Sequence, residues 1–492
     1  MLDQTRCIGC HACTTACKSE NEVPVGVTRT YVKSADVGLF PQVRRVFQVT
    51  RCNQCANAPC TVACPTRAMF RRSDGIVDFD KSICIGCKAC MAACPYDAIF
   101  INPQDRSAEK CNMCAHRIEM GLEPACVTVC PTGAILVGDG NDERSYVAQV
   151  LSSGQGQVRR PEKRTWPGVH YLGAHKATLD PLAARRPEGG LYAWALQSKG
   201  GARSVASGHP GEPSSGQSAL VSYDIPHRAP WGLGVSLYTW TKSIAAGAFI
   251  VPVLLALVGA ISWDNAGVRL AAPVTALVFL AVTGALLIAD LTHPLRFLLI
   301  FTRHQWQSWL VRGAFIISAY GAVLAVYLGT GTAARQVLAW PGLVMGFATA
   351  VYTAFLLGQA KGRDLWQSPL LGPHLAAQAV LAGAATTLPL ISWLSNSQAV
   401  SACEVILALA AGADLLLAAG EVIFRHPGEH ARLAVAEMTS GTCARFFWPG
   451  LALVGIAIGA PWLGIAATPI ALAGLLAHEH AYVRAGQAVP LA

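Results

Sequence analysis

From Trp231 onward the chain is written in long apolar stretches separated by short polar breaks. They lie at 233–262, 269–291, 309–330, 336–359, 373–394, 400–424, 446–463 and 464–484. About 20 apolar residues carry a helix across a bilayer, so the pattern predicts roughly eight membrane crossings. The last two are divided only by a turn around Pro461 and Gly464. Small-residue faces, such as Ala245-Ala246-Gly247 and Ala382-Gly383-Ala384, suit close helix packing in lipid. The first 150 residues alternate on a shorter scale, and Gly75–Phe79 and Ala98–Ile101 read as short strands between compact turns. Between these regions Gly, Pro, Ser and Arg dominate, as in Ser152–Gly156 and Gly208–Gly216, which predicts a linker. Within it Trp166–Leu182 reads as a more ordered docking segment. The expected organisation is an α+β domain over 1–150, a linker over 151–230 and an all-α polytopic bundle over 231–492.

Composition sharpens this division. Of the 492 residues, 53% are hydrophobic and 14% charged, against roughly 25% charged for a soluble domain. The segment 231–492 holds only 12 Lys/Arg and 9 Asp/Glu. A single soluble globule is excluded, and so is a disordered chain, because this much apolar surface buries itself. The net charge of +9 carries no basic run interleaved with aromatics, so no nucleic-acid partner is expected.

Sixteen of the 18 cysteines lie between Cys7 and Cys130. A secreted disulfide scaffold is shorter and has no membrane half. The start, MLDQTRCIGC, has neither an apolar h-region nor a twin arginine, so nothing there reads as an export signal. The sixteen fall into four groups: Cys7, Cys10, Cys13, Cys17; Cys52, Cys55, Cys60, Cys64; Cys84, Cys87, Cys90, Cys94; and Cys111, Cys114, Cys126, Cys130. The first and third follow C-x2-C-x2-C-x3-C, which wraps three thiolates around one iron–sulfur cube. The second and fourth stretch the middle gap. Pro65, Pro95 and Pro131 follow the fourth cysteine in three groups, and Lys18 takes that place in the first. Cys7–Cys13 resembles Cys84–Cys90, and Cys52–Pro65 parallels Cys111–Pro131, so the domain is an internal repeat. Sixteen thiolates make four [4Fe–4S] clusters. Structural zinc also takes four thiolates, but this spacing followed by proline suits it poorly.

The segments CIGCHACTTACKSENEVPVG, CNQCANAPCTVACPT, CIGCKACMAACPYDAIF and KCNMCAHRIEMGLEPACVTVCPTGAI resemble the four-cluster electron-transfer subunit of the DMSO reductase and polysulfide reductase group. The resemblance covers residues 1 to about 138 and implies a double bacterial-ferredoxin-like fold. It also implies crossed ligand sets. One cluster takes Cys7, Cys10, Cys13 and Cys130, and a second Cys111, Cys114, Cys126 and Cys17. The inner pair takes Cys52, Cys55, Cys60 with Cys94, and Cys84, Cys87, Cys90 with Cys64. The membrane half resembles the NrfD/PsrC-type quinone-reactive anchor. The stretches that carry this are Ile288–Leu291, Val311–Phe315, Gly362–Pro369 and Ala477–Gln487. In that family the two parts are usually separate chains; here they are one. The resemblance implies an electron-transfer and membrane-anchor subunit of a respiratory complex. Menaquinone or ubiquinone is then the exchangeable substrate, a separate molybdopterin or tungstopterin subunit carries the terminal chemistry, and no haem is expected. The rival readings are a redox-driven proton-translocating module and a membrane-bound iron–sulfur redox sensor, for which one cluster would suffice.

Ionisable groups inside lipid are costly and default to function. Lys242, Asp290 and Tyr352 fall toward the membrane face that bears the N-terminus and suit a quinone site; the bland alternative is a Lys242–Asp290 ion pair. Glu404, Asp414 and Glu421 in the sixth stretch suit a proton path, and the alternative is pairing with Arg312 or other interfacial cations. His293, His304, His374, His426, His430, His478 and His480 are expected at the interface on the N-terminal face, and Cys403 and Cys443 as inert packing residues of lipid-facing helices or their ends. With eight crossings, Arg228, Arg296, Arg303, Arg312, Lys361, Arg363, Arg425, Arg432, Arg445 and Arg484 share one face, leaving Arg269 and Arg335 on the other. Positive loops stay inside, so the expected location is the inner membrane with the cysteine domain in the cytoplasm.

Overall fold

A computed structural model describes residues 1–38, 41–186 and 219–492. The Gly208–Gly216 part of the expected linker lies outside the described residues. The chain forms two compact units, Met1–Arg228 with Val489–Ala492, and Ala229–Ala488.

The first unit is built from small repeated pieces. Its largest sheet pairs Thr30–Val37 antiparallel with Arg44–Arg51 on one side and with Ala219–Tyr223 on the other. Two short hairpins, Met69–Arg71 with Val77–Phe79 and Ile99–Ile101 with Ala108–Lys110, occupy equivalent places in the cysteine repeat. Each cysteine group delivers its third residue into a short helix: Cys13 in Ala12–Glu20, Cys60 in Pro59–Ala63, Cys90 in Ala89–Ala93 and Cys126 in Ala125–Thr128. The Trp166–Leu182 segment packs in this unit, with Tyr171–Leu172 running parallel to Leu2–Asp3 and Tyr171 fully buried. The tail packs here too: Lys33 Nζ donates to the Ala492 carbonyl at 2.9 Å and Arg159 Nη2 to that of Leu491 at 3.2 Å.

The second unit is a helical bundle. Seven helices are long and apolar enough to cross a membrane: Leu233–Leu257, Gly267–Ala289, Trp309–Leu328, Thr332–Gly358, Leu371–Leu394, Ser397–Ile423 and Ala460–Ala488. A shorter apolar helix, Ala444–Ala457, precedes the last of them. The eight expected stretches are thus all found as apolar helices, the seventh shorter than the rest. The seventh stretch is a 14-residue helix that ends at Ala457, ahead of the Pro461–Gly464 turn that the sequence offered as the boundary. Pro461 instead sits at the start of a new turn, where its missing N–H costs nothing. The first span is the hub, buried along most of its length, whereas the second, third and last spans leave most of their apolar side chains outward. It packs closely on the fifth: a Cβ on Gly247 would lie 2.6 Å from the Gly383 backbone, so only glycine permits this approach.

The bundle loops sort onto two ends. At one end Asn265 Nδ2 donates to the Leu394 carbonyl at 2.9 Å, and Arg335 Nη1 donates to that of Trp263 at 3.0 Å. At the other, the Tyr482 hydroxyl donates to the Leu365 carbonyl at 3.0 Å, and Arg363 Nη1 to that of Gln487 at 3.1 Å. Trp393 and Trp462, both 86% exposed, mark the Asn265 end, where indole rings favour the lipid–water boundary.

Candidate electron-transfer and intramembrane sites

The cysteine loops owe their shape to alternating backbone hand. Gly9 and His11 have φ of 70° and 60°, and the matching residues Gly86 and Lys88 have φ of 70° and 63°. Left-handed residues turn the chain so that successive thiols face a common centre, and at Gly9 a Cβ would run into the Phe47 ring. The stretched groups repeat their own signature, with left-handed Gln54 between Cys52 and Cys55 and left-handed Met113 between Cys111 and Cys114.

The thiols gather across the repeat as well as within each group. Burial pushes Cys17 up to about 12, and Cys111, Cys126 and Cys114, all of the fourth group, push the same way. Asn21 Nδ2 lies 3.8 Å from Cys17 Sγ and 3.6 Å from Cys114 Sγ, bridging the two groups. Cys7 is raised by burial, with Cys130 and Cys10 adding to it. Burial takes Cys94 up to about 12, with Cys52 and Cys55 of the second group contributing. Cys87 is raised by burial first and by Cys64 next. Backbone N–H groups point at several sulfurs: Ala134 to Cys130 at 3.2 Å, Met69 to Cys64 at 3.4 Å and Ala108 to Cys84 at 3.4 Å. Thiols this buried give up their protons to a metal rather than to water, and N–H donors stabilise the sulfur charge that results. The residues therefore fit iron–sulfur clusters.

Two buried cations that sequence reasoning passed over stand among these thiols. Arg51 Nη1 donates to Cys126 Sγ at 3.3 Å; burial works against its charge, but Cys126, Cys111 and Cys13 hold it firmly protonated. Lys110, fully buried, donates to the carbonyls of Val77 and Cys111 and counters the charge of Cys60 and Cys55. A signal for them does exist in the sequence: each immediately precedes the first cysteine of a stretched group, Arg51 before Cys52 and Lys110 before Cys111.

In the bundle the three residues assigned to quinone are only partly brought together. Lys242 is fully buried, its Nζ 5.3 Å from the centre of the Tyr352 ring. It donates to the Ala350 carbonyl at 2.6 Å and to Thr353 Oγ1 at 2.9 Å, and these are the bonds that hold it. Asp290 lies nearer the helix end, against Gly234. Of the sixth-span carboxylates, Asp414 and Glu421 are buried, while Glu404 stands apart at the other end, near Gly464. None of the three pairs with Arg312 among the described residues: Arg312 donates to the Trp306 carbonyl and lies over Trp309. Glu421 accepts from Ser368 Oγ at 2.7 Å.

His374 and His478 are buried inside the bundle, 4% and 2% exposed, and converge on Asp414, with His374 Nε2 2.9 Å from its Oδ1. Spacing along single helices could not reveal this, because the three residues come from three spans. Cys403 is fully buried, its thiol 3.6 Å from the Ala384 carbonyl, as a packing residue between the fifth and sixth spans.

Comparison with known proteins follows the same division. Residues 4–26 match a 4Fe-4S binding domain and residues 43–140 a 4Fe-4S dicluster domain. Residues 222–469 match the family described as polysulphide reductase, NrfD. A subunit of the tetrathionate reductase of Salmonella typhimurium is 43% identical over 189 residues, 38% of this chain and 76% of that protein. A component of the polysulfide reductase of Wolinella succinogenes is 44% identical over 154 residues, 31% of this chain and 81% of its own. Protein NrfC of Escherichia coli is 44% identical over 152 residues, 30% and 68% of the respective chains. The chain is thus a membrane protein of the polysulphide reductase NrfD family, carrying an iron–sulfur dicluster domain in the same polypeptide.

Proposed function

We propose that this chain relays electrons between a separate catalytic subunit and the membrane quinone pool, as the electron-transfer and anchor subunit of a respiratory oxidoreductase complex. The observation that carries this is the proximity of thiols of the first group to the fourth and of the second to the third, in one polypeptide with an NrfD unit. Four [4Fe–4S] clusters are assigned to the four crossed sets named above, and when bound they supply one-electron carriers in series. Arg51 and Lys110 offset the negative charge of cluster and thiolates. The names of the relatives, components of tetrathionate and polysulfide reductases, support a catalytic partner, and the family resemblance extends this to a molybdopterin or tungstopterin enzyme.

Menaquinone or ubiquinone is the exchangeable redox partner in this reading. Reduction of a quinone takes two electrons and two protons, so its site needs hydrogen-bond donors and proton carriers. Lys242 is the donor to a quinone carbonyl, with Tyr352 beside it, and Asp290 at the helix end exchanges protons with water. The nine cations of the second unit at the Tyr482–Leu365 end, against Arg269 and Arg335 at the other, support an inner-membrane protein with that end in the cytoplasm.

The test replaces Lys242 by Met, Asp290 by Asn and Tyr352 by Phe. Turnover with quinone analogues is lost, while iron content and cluster reduction by the partner persist. Normal quinone turnover in all three variants overturns the site. Proton translocation is a second reading, favoured by the buried Asp414 and Glu421. Purified complex in liposomes separates the two, because scalar quinone chemistry leaves no uncoupler-sensitive gradient beyond that of the quinone protons.

A further inference from the structure

We propose that His374, Asp414 and His478 form a binding site for one divalent cation of the zinc class, clamped between the fifth, sixth and last spans. Their ligand atoms all lie within 4.8 Å of one another, and all three residues are buried. The side of the cluster that is bonded, His374 Nε2 to Asp414 Oδ1, measures 2.9 Å. The open side, His478 Nδ1 to Asp414 Oδ2, measures 3.8 Å. Four-coordinate zinc with bonds near 2.0–2.1 Å sets its ligand atoms about 3.3 Å apart, and those of the cluster all lie within 4.8 Å of one another. Small shifts of buried side chains therefore close the site around a cation.

The unbonded atoms point the same way. Asp414 Oδ2 and His478 Nδ1 are buried without a hydrogen-bond partner, and so are both carboxylate oxygens of the neighbouring Glu479. Buried polar atoms are nearly always paired, and an orphaned carboxylate in a membrane bundle is especially costly. One occupant relieves them together. A small cavity of about 30 Å³, lined by His374, His478, Gln378 and Glu479, adjoins the cluster. It has room for one water as a fourth ligand, and Glu479 is positioned to accept that water's hydrogen bond. Two imidazoles and carboxylate oxygen favour zinc, cobalt or nickel over magnesium or calcium. The cation crosslinks three spans that side-chain packing and the His374–Asp414 bond already bring together at this level. This binding stands independently of the quinone reading, because the metal is counted directly.

The experiment uses the intact chain in detergent, stripped with a chelator that leaves its iron in place, then exposed to zinc or cobalt chloride and desalted. One zinc per chain is retained above the unchanged iron content, and cobalt gives the visible bands of a nitrogen–oxygen site. Asp414→Asn and His478→Gln, with iron content intact, bind more than tenfold more weakly. No retained zinc in the stripped wild type overturns the proposal. So does equal retention by both variants, or a cobalt spectrum dominated by thiolate charge transfer, which would place the metal on cysteines.

Discussion

Gln487 and Trp231 grip each other through a reciprocal pair of hydrogen bonds. The Trp231 N–H donates to Gln487 Oε1 at 2.9 Å, and Gln487 Nε2 donates to the Trp231 carbonyl at 3.0 Å. The bond joins the entrance of the first span to the exit of the last, so the bundle begins and ends at the same end. Only an even number of crossings permits that. Seven long helices alone would separate the two residues by a membrane, so Ala444–Ala457 is the eighth crossing despite its length of about 21 Å at 1.5 Å per residue. A short helix crosses by local thinning of the bilayer and by interfacial side chains at its end, and Trp462 is so placed.

Topology reporters test this directly. Insertions at Asn265, Ser395 and Trp462 report one compartment, and those at Gly362 and Gly428 the other. With positive loops retained inside, the second group is cytoplasmic. A reporter at Trp462 that agrees with Gly428 removes the eighth crossing.

The proposed crossed thiol sets predict a distinctive loss pattern. Complete loading gives about 16 iron and 16 acid-labile sulfide per chain, four for each four-thiolate set. Cys17→Ser should remove or convert the cluster of Cys111, Cys114 and Cys126 and leave that of Cys7, Cys10 and Cys13 in place. Electron paramagnetic resonance of the reduced chain resolves this. Loss confined to the cluster of Cys7, Cys10 and Cys13 would sink the crossed assignment, and about four zinc in place of iron would sink the electron relay.

Much of this is legible in the sequence because the signals are local. Cysteine spacing and proline placement are properties of a few consecutive residues, as are apolar stretches near bilayer length. The helix Ala444–Ala457 is harder, because an apolar run does not say where a helix breaks inside it. The meeting of His374, Asp414 and His478 is not legible at all, since the residues are 40 and 64 positions apart on three helices. Lys242 stands out in sequence as a cation within an apolar stretch, yet its partners, a backbone carbonyl and Thr353, carry no pattern there.

The charge of Arg51 acts on cluster energetics. A reduced cluster carries one more negative charge, and a buried guanidinium 3.3 Å from Cys126 Sγ stabilises that state. Replacing Arg51 by Met, similar in length and apolar, should lower the midpoint potential of the cluster bound by Cys126. The shift is on the order of 50–100 mV, from a Coulomb term of about 1–3 kcal/mol at a protein dielectric near 20. Potentiometric titration of the isolated chain measures it. An unchanged potential with full iron content would show that the arginine only packs.

His227 makes the first unit sensitive to alkali. Its Nδ1 lies 2.6 Å from Asp97 Oδ2 and its Nε2 3.1 Å from Asp224 Oδ1, so it bridges the strand after residue 219 to the loop following Cys94. Burial alone would disfavour its charge, but the hydrogen bonds and charges of Asp224 and Asp97 overcome this and raise it from 6.5 to about 9. A base raised on folding contributes stability that is complete below its unfolded value and is lost as pH climbs through its folded value. The window is therefore pH 6.5 to 9. Buried Lys33, lowered to about 8 mainly by burial, works in the opposite sense above pH 8, so the comparison must be between variant and wild type at each pH. His227→Gln should unfold more readily than wild type at pH 6.5, by on the order of 2 kcal/mol, and the gap should close by about pH 9.5. Loss of cluster absorbance during denaturant titration of the intact chain follows it. A gap that stays constant from pH 6.5 to 9.5 would mean that the imidazole contributes by shape and not by charge.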